Sequence, residues 1–298
     1  MILADLVLPS RVNQRWWRQG IDDPDWCMAP IHWHRYDHEI QYVYNSRGFR
    51  DEEWPADLVN ATWCIGDSFT VGIGVPLQRT WPQLLQQKLQ RRSINVSMDG
   101  ASNDWMARRA CQIIKEVQPS LMIIHWTYTH RREIPNDQAL LDQRWRAFYQ
   151  DVRDRSWPDC DTFNDVESLP DHIQQEIQTD PYWPMLSTPD DHDRRLDQPE
   201  KAAVLDDTLN DAVFFDAVDQ VEQCRGSTLV LHTFIPSFTA NSDRMRHKLN
   251  QHMQGRLWIP EVEQLDWARD GHHYDVKTAR VLVNNICNIL PEHLINTG

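Results

Sequence analysis

From about residue 58 the chain alternates between short apolar runs and segments whose apolar residues recur at helical spacing. "LVNATWCIG" (58–66) is an apolar run that closes on glycine, the pattern of a buried strand. "TWPQLLQQKLQRR" (80–92) follows, with Trp81, Leu84, Leu85 and Leu89 on one helical face. "SINVSMDG" (93–100) is a second strand ending at a glycine, and "WMARRACQIIKEV" (105–117) a second helix, stopped by Pro119. "SLMIIHWTY" (120–128) is the clearest strand. The pattern resumes with a helix in "DAVFFDAVDQVEQC" (211–224), a strand in "STLVLHTFIP" (227–236) and a closing amphipathic helix in "DVKTARVLVNNICNIL" (275–290). Strand and helix in strict alternation predict right-handed βαβ crossovers, hence a three-layer α/β/α domain around a central parallel sheet.

Two regions break the pattern. Residues 1–57 are rich in Trp, Pro, His and charge with little periodicity, and read as an extension that packs on the main domain of 58–298. Residues 151–200 hold fourteen Asp and Glu against four Lys and Arg, and six prolines that break any long helix. This is an acidic insertion before the last predicted strand, either a solvated face or a lid.

The formal charge of −14 argues against nucleic acid or an anionic membrane as the main partner. No apolar stretch approaches the ~20 residues of a membrane helix, and the N-terminus lacks the basic start of a signal peptide. The six cysteines are widely spaced, and Cys64, Cys111 and Cys287 read as small core residues. A reduced, cytoplasmic protein is the expectation. Fourteen Trp is a high count; large aromatics usually serve as core, and an excess can line a cleft or an interface.

In a parallel sheet, binding groups gather at the carboxyl ends of the strands. "GDSFT" (66–70), "DGAS" (99–102) and "HWTYTHRRE" (125–133) fall there, and "ARDGHHYD" (268–275) lies just before the last helix. They supply a hydroxyl, a glycine backbone, polar donors and an Asp-x-x-His, the set that nucleophilic acyl transfer needs.

In these blocks the chain resembles the SGNH hydrolases, or GDSL-type esterases and lipases. "IGDSFT" matches the family's first block with Ser68 as nucleophile, and Gly100 matches the glycine of the second. "DGHH" matches the last block, giving Asp270 and His273, and "YNSRGFR" (44–50) resembles a segment that precedes the serine strand in bacterial members. The likeness spans roughly residues 44–135 and 225–290. It implies the flavodoxin-like α/β/α fold and a serine esterase acting on a small-molecule or carbohydrate ester, without cofactor or metal. Ser68 would attack, His273 would act as base, Asp270 would orient it, and the backbone N–H groups of Ser68 and Gly100 would hold the oxyanion.

The third block departs from the family's Gly-x-Asn-Asp. Alignment on "LMIIHW" puts Thr127 at the glycine, Thr129 at the Asn and His130 at the Asp, leaving Thr129, or Asn103, as the side-chain oxyanion donor. His272 competes with His273 for the base, and Asp266 with Asp270 for the acid. Arg131 or Arg132 can pair with Glu133 or a carboxylate of the extension, or touch substrate. His32, His34, His38 and Asp37 invite a metal, although no matching ligand set is evident elsewhere, and a polar surface segment explains them as well. Thr70 stands where an α/β-hydrolase elbow needs glycine, and Gly72 and Gly74 lack the third glycine of a dinucleotide loop. Two other classes share these residues: an acyltransferase to a sugar hydroxyl, and a binding protein on a degenerate hydrolase fold.

Overall fold

Side-chain parity along the strands divides the interior in two. In β3 (Thr62–Gly66), Trp63 and Ile65 enter one core and Cys64 the other. In β5 (Leu121–Trp126), Met122 and Ile124 join the first, Leu121 and Ile123 the second. In β8 (Leu229–Phe234), Val230 and Leu231 divide the same way. Strands buried on both faces need helices on both faces, and the chain supplies them. The first core is covered by α3 (Asn103–Val117) and α4 (Asp207–Cys224), the second by α2 (Trp81–Leu89) and α6 (Val276–Ile289). Truncating a residue such as the fully buried Ile124 to alanine would cost about 2–5 kcal/mol.

The structure, a computed structural model, describes residues 3–8, 11–19, 22, 39–129, 131–133, 184–185, 207–236, 243–260 and 262–295. Its sheet has the order β4-β3-β5-β8-β9, with β4 at Ser93–Ser97 and β9 at Leu257–Trp258, and every pairing is parallel. The three-layer α/β/α fold is therefore as the periodicity predicts. β9, which follows β8, and the helix before it, α5 (Asp243–His252), are additions to the predicted pattern. β9 is only two residues long, and α5 is polar apart from the buried Met245 and Leu249, so neither produces a strong periodic signal.

The N-terminal segment lies against the sheet domain. Leu3, Leu6, Leu8 and Phe49 enter the first core. β1 (Arg15–Trp16) pairs antiparallel with β2 (Tyr42–Val43), and Ile40, Tyr42 and Tyr44 pack on Val71 and Ile73, which follow β3. Of the acidic insertion only β7 (Pro184–Met185) is described, paired with β6 (Arg132–Glu133), so the lid reading falls outside the described residues.

One pair of cysteines departs from the expected reduced state. Cys111 of α3 and Cys224 of α4, with Cα atoms 5.8 Å apart, form a disulfide across 113 residues. Two helices side by side on one sheet face bring them together, a proximity that linear spacing does not show. Cys64 and Cys287 are free and buried, while Cys27 and Cys160 lie outside the described residues. Among the described residues no helix is long and apolar enough to cross a membrane.

Candidate active site

β3 delivers its chain end into a four-residue helix, α1 (Ser68–Val71). Asp67 caps it, accepting the Phe69 N–H at 3.0 Å, and Gly72 closes it in the left-handed region at φ 78°. A side chain at Gly66 would collide with Thr70, so the strand end itself must be glycine. Buried Arg50, the last residue of "YNSRGFR", holds the other end of α1. Its guanidinium donates to the carbonyls of Val71 (3.1 Å), Gly72 and Val75 (2.8 Å), placing a cation at the helix C-terminus.

The short helix aims Ser68 at the loop before α6. Ser68 Oγ lies 2.8 Å from His273 Nε2, and His273 Nδ1 lies 2.6 Å from Asp270 Oδ2. Asp270 Oδ1 accepts the backbone N–H groups of His272 (2.8 Å) and His273 (2.9 Å), so the carboxylate is held by its own loop. A carboxylate only accepts; Nδ1 therefore carries the proton and Nε2 is left to take one from the serine. Phe69 packs on the His273 ring with centroids 4.5 Å apart.

Burial works against charge on His273, but the charge and hydrogen bond of Asp270, with Asp67 and Asp99 beyond, raise its pKa above 6.5. Burial likewise opposes the Asp270 carboxylate, yet His273 and the two backbone donors hold its pKa below 3.8. His125, in β5 beneath the site, shows what burial does without such a partner. It bonds Thr233 (2.7 Å) and Tyr274 (3.3 Å), and burial lowers its pKa to about 4, so it stays neutral.

The competitors have other duties. His272 is exposed, its ring 5.6 Å from that of Phe69, and it gives Asp270 a backbone N–H. Asp266 binds the start of α6 through Lys277 N (2.6 Å), Thr278 N (3.1 Å) and Thr278 Oγ1 (2.8 Å).

On the opposite side of Ser68 the geometry departs from expectation. Thr127, just past β5, is fully buried and donates its hydroxyl to Asp67 Oδ2 at 2.5 Å. Arg131 Nη1 reaches the same carboxylate oxygen at 2.7 Å and Thr127 Oγ1 at 2.8 Å. Arg131 thus pairs with the residue before Ser68. Only the fold carries the β5 end back beside β3, so the partner was not legible from local sequence. The signal available was an aspartate at the strand end next to the serine.

Asn103 is engaged as well. Its Nδ2 donates to the carbonyls of Thr127 (3.3 Å) and Tyr128 (3.0 Å), and its Oδ1 accepts Thr127 N–H (3.1 Å). Both amide hydrogens are used on the loop, which leaves none for a substrate oxygen. Gly100 adopts φ 79° in the turn after β4, a turn tied to the β3 end by Met98 N–H on Gly66 O at 3.2 Å. Thr129 is half-buried, and His130 lies outside the described residues. Among the described residues no group of His, Cys, Asp or Glu could hold a metal ion, and the His32–His38 segment falls outside them.

No family model matches the sequence, and no curated protein matches it. Among solved structures the chain is similar to TesA, with TM-score 0.44 and 14% identity over 78% of this chain and 99% of that one. It is also similar to the psychrotrophic esterase EstA from Pseudoalteromonas sp. (TM-score 0.38, 12% identity, 80% of this chain and 100% of that one). A carbohydrate esterase gives TM-score 0.39 and 11% identity over 80% of this chain and 66% of its own.

Proposed function

We propose that the protein is a serine esterase in which Ser68, His273 and Asp270 cleave a carboxylic ester through an acyl-enzyme. The observation that carries this reading is the unbroken relay Ser68 Oγ–His273 Nε2–Asp270 at 2.8 and 2.6 Å, held by groups that favour a proton on Nδ1. Ser68 Oγ attacks the acyl carbon as its proton passes to His273 Nε2, and Asp270 stabilises the imidazolium that results. The tetrahedral intermediate collapses when His273 returns that proton to the leaving alcohol. Water then repeats the sequence on the acyl-enzyme, releasing the acid and restoring Ser68.

The oxyanion is held by the backbone N–H groups of Ser68 and Gly100. Thr129 is the side-chain donor in this reading, since the Asn103 amide is engaged on the loop. No step calls for a cofactor. The test is a panel of nitrophenyl esters from acetyl upward, together with acetylated sugars, on wild type and Ser68→Ala. Turnover in wild type and its loss in the variant is the expected result. Equal turnover in both would refute the mechanism, and nitrophenol release that needs an added sugar, with the acyl group recovered on that sugar and not as free acid, would make the enzyme a transferase.

A further inference from the structure

Arg269, the residue before Asp270, leads away from the relay into the N-terminal segment. It is 1% exposed, and its guanidinium forks onto Asp22, itself 0% exposed, with Nε to Oδ1 at 2.9 Å and Nη2 to Oδ2 at 2.6 Å. Asp22 Oδ2 also accepts the hydroxyl of Tyr42 at 2.5 Å. That hydroxyl accepts the Gly74 N–H at 2.8 Å, and the Gly74 carbonyl accepts the Arg269 N–H at 3.0 Å. The bonds close a ring: Asp22, Tyr42, Gly74, Arg269 and back to Asp22.

Two members of this ring belong to the loops that must meet for the relay to form. Gly74 sits just beyond α1, which carries Ser68, and Arg269 adjoins Asp270. The two loops are in contact there: a Cβ at Gly74 would stand 2.9 Å from Ala268 Cβ and 3.0 Å from Asp270 Oδ2. Tyr42 is fixed from its other side by Arg50, whose guanidinium lies 4.2 Å from its ring centroid while holding the α1 carbonyls. A buried ion pair is a poor source of net stability, because desolvation offsets its attraction. Apolar side chains would glue the segment down as well, but not with fixed directions and lengths.

We propose that Asp22, Tyr42 and Arg269 are positioning residues, a clamp by which the N-terminal segment sets the spacing of the serine and acid loops. The inference rests on Ser68 being the nucleophile. A relay displaced by about 1 Å can lose on the order of 10²-fold in rate without losing substrate affinity. The clamp therefore acts on kcat and leaves KM alone.

The test compares wild type, Tyr42→Phe, Asp22→Asn and Ser68→Ala, using nitrophenyl acetate turnover and the rate of labelling by a fluorophosphonate. Both are read well below each variant's Tm. Tyr42→Phe keeps the ring under Arg50 and deletes only the hydroxyl that joins Asp22 to Gly74. The expected result is kcat and labelling slowed by about 10-fold or more with KM within about twofold. Asp22→Asn should lower both rates further; if it fails to fold, Tyr42→Phe alone decides. Labelling of Tyr42→Phe at the wild-type rate, or a loss confined to KM, overturns the clamp while leaving the esterase reading intact. Absence of labelling in wild type overturns the nucleophile itself, and the clamp with it.

Discussion

The two loops that face Ser68 are built on different terms. In the loop of residues 268–275 the Asp-x-x-His segment is closed on itself: Asp270 takes two N–H groups of its own loop and the imidazole, and Ala268 N–H closes the loop on His273 O at 2.7 Å, while Arg269 reaches out to Asp22. The loop after β5 is instead tied to the floor of the site, with Thr127 and Arg131 on Asp67 and Asn103 on the backbone of 127–128. On the proposed mechanism one side moves a proton, while the other pairs a buried carboxylate beside Ser68. Damage should therefore read out differently on the two sides, in rate on the first and in stability on the second.

The largest effect belongs to the proton-moving side. Ser68→Ala should lower kcat on an ester by at least about 10³-fold with Tm close to wild type, since the hydroxyl's one described bond is to His273. Asp270→Asn should cost roughly 10²–10⁴-fold, because an amide no longer fixes the proton on Nδ1. A drop in Tm that matched the rate loss would erase the contrast between the loops. On the other side, Arg131→Met leaves the Asp67 carboxylate buried and without its guanidinium. Breaking such a pair costs about 3–5 kcal/mol, so thermal denaturation should show a clear fall in Tm. Asp67→Asn, which keeps an acceptor for Phe69 N–H, should cost less, and a double variant should recover part of the loss.

The pH profile sharpens the first half of the comparison. Burial lowers the His273 pKa and the negative charge of Asp270 raises it by more, so the proton is lost only above 6.5. Attack needs the neutral ring, and kcat/KM should climb about tenfold per unit below that pKa and level off above it. The same sign governs stability: the pairing of imidazolium with Asp270 is fully present below pH 6.5 and is lost as pH rises through the folded-state pKa. A profile flat from pH 5 to 8 would remove His273 as the base.

How far the sequence reached follows the same division. The sheet and four of its flanking helices were legible because strands buried on both faces leave unbroken apolar runs, and amphipathic helices leave a 3.6-residue period. The convergence of Ser68, Asp270 and His273 was legible because the three sit in two short motifs, each contiguous in the chain. Arg131–Asp67, Arg269–Asp22 and Cys111–Cys224 were not. Each joins residues 64, 247 and 113 positions apart, and only the tertiary fold brings them together. β9 escaped because two residues carry no period.

The smallest expected effect concerns the side-chain oxyanion donor. Thr129→Val should lower kcat by about 10-fold if that hydroxyl serves the oxyanion, with little change in KM. Thr127→Val is the contrast, because its hydroxyl belongs to Asp67 and its loss should appear chiefly in Tm. Full kcat in Thr129→Val would leave the hole to backbone donors alone.

The central claim is that Ser68 is a nucleophile activated by His273. Mass spectrometry of the folded protein after treatment with a fluorophosphonate tests it most directly. The account predicts a single adduct on the peptide carrying Ser68, formed far more slowly in His273→Ala. An unmodified Ser68, an adduct on another serine, or a His273→Ala variant labelled at the wild-type rate would contradict it.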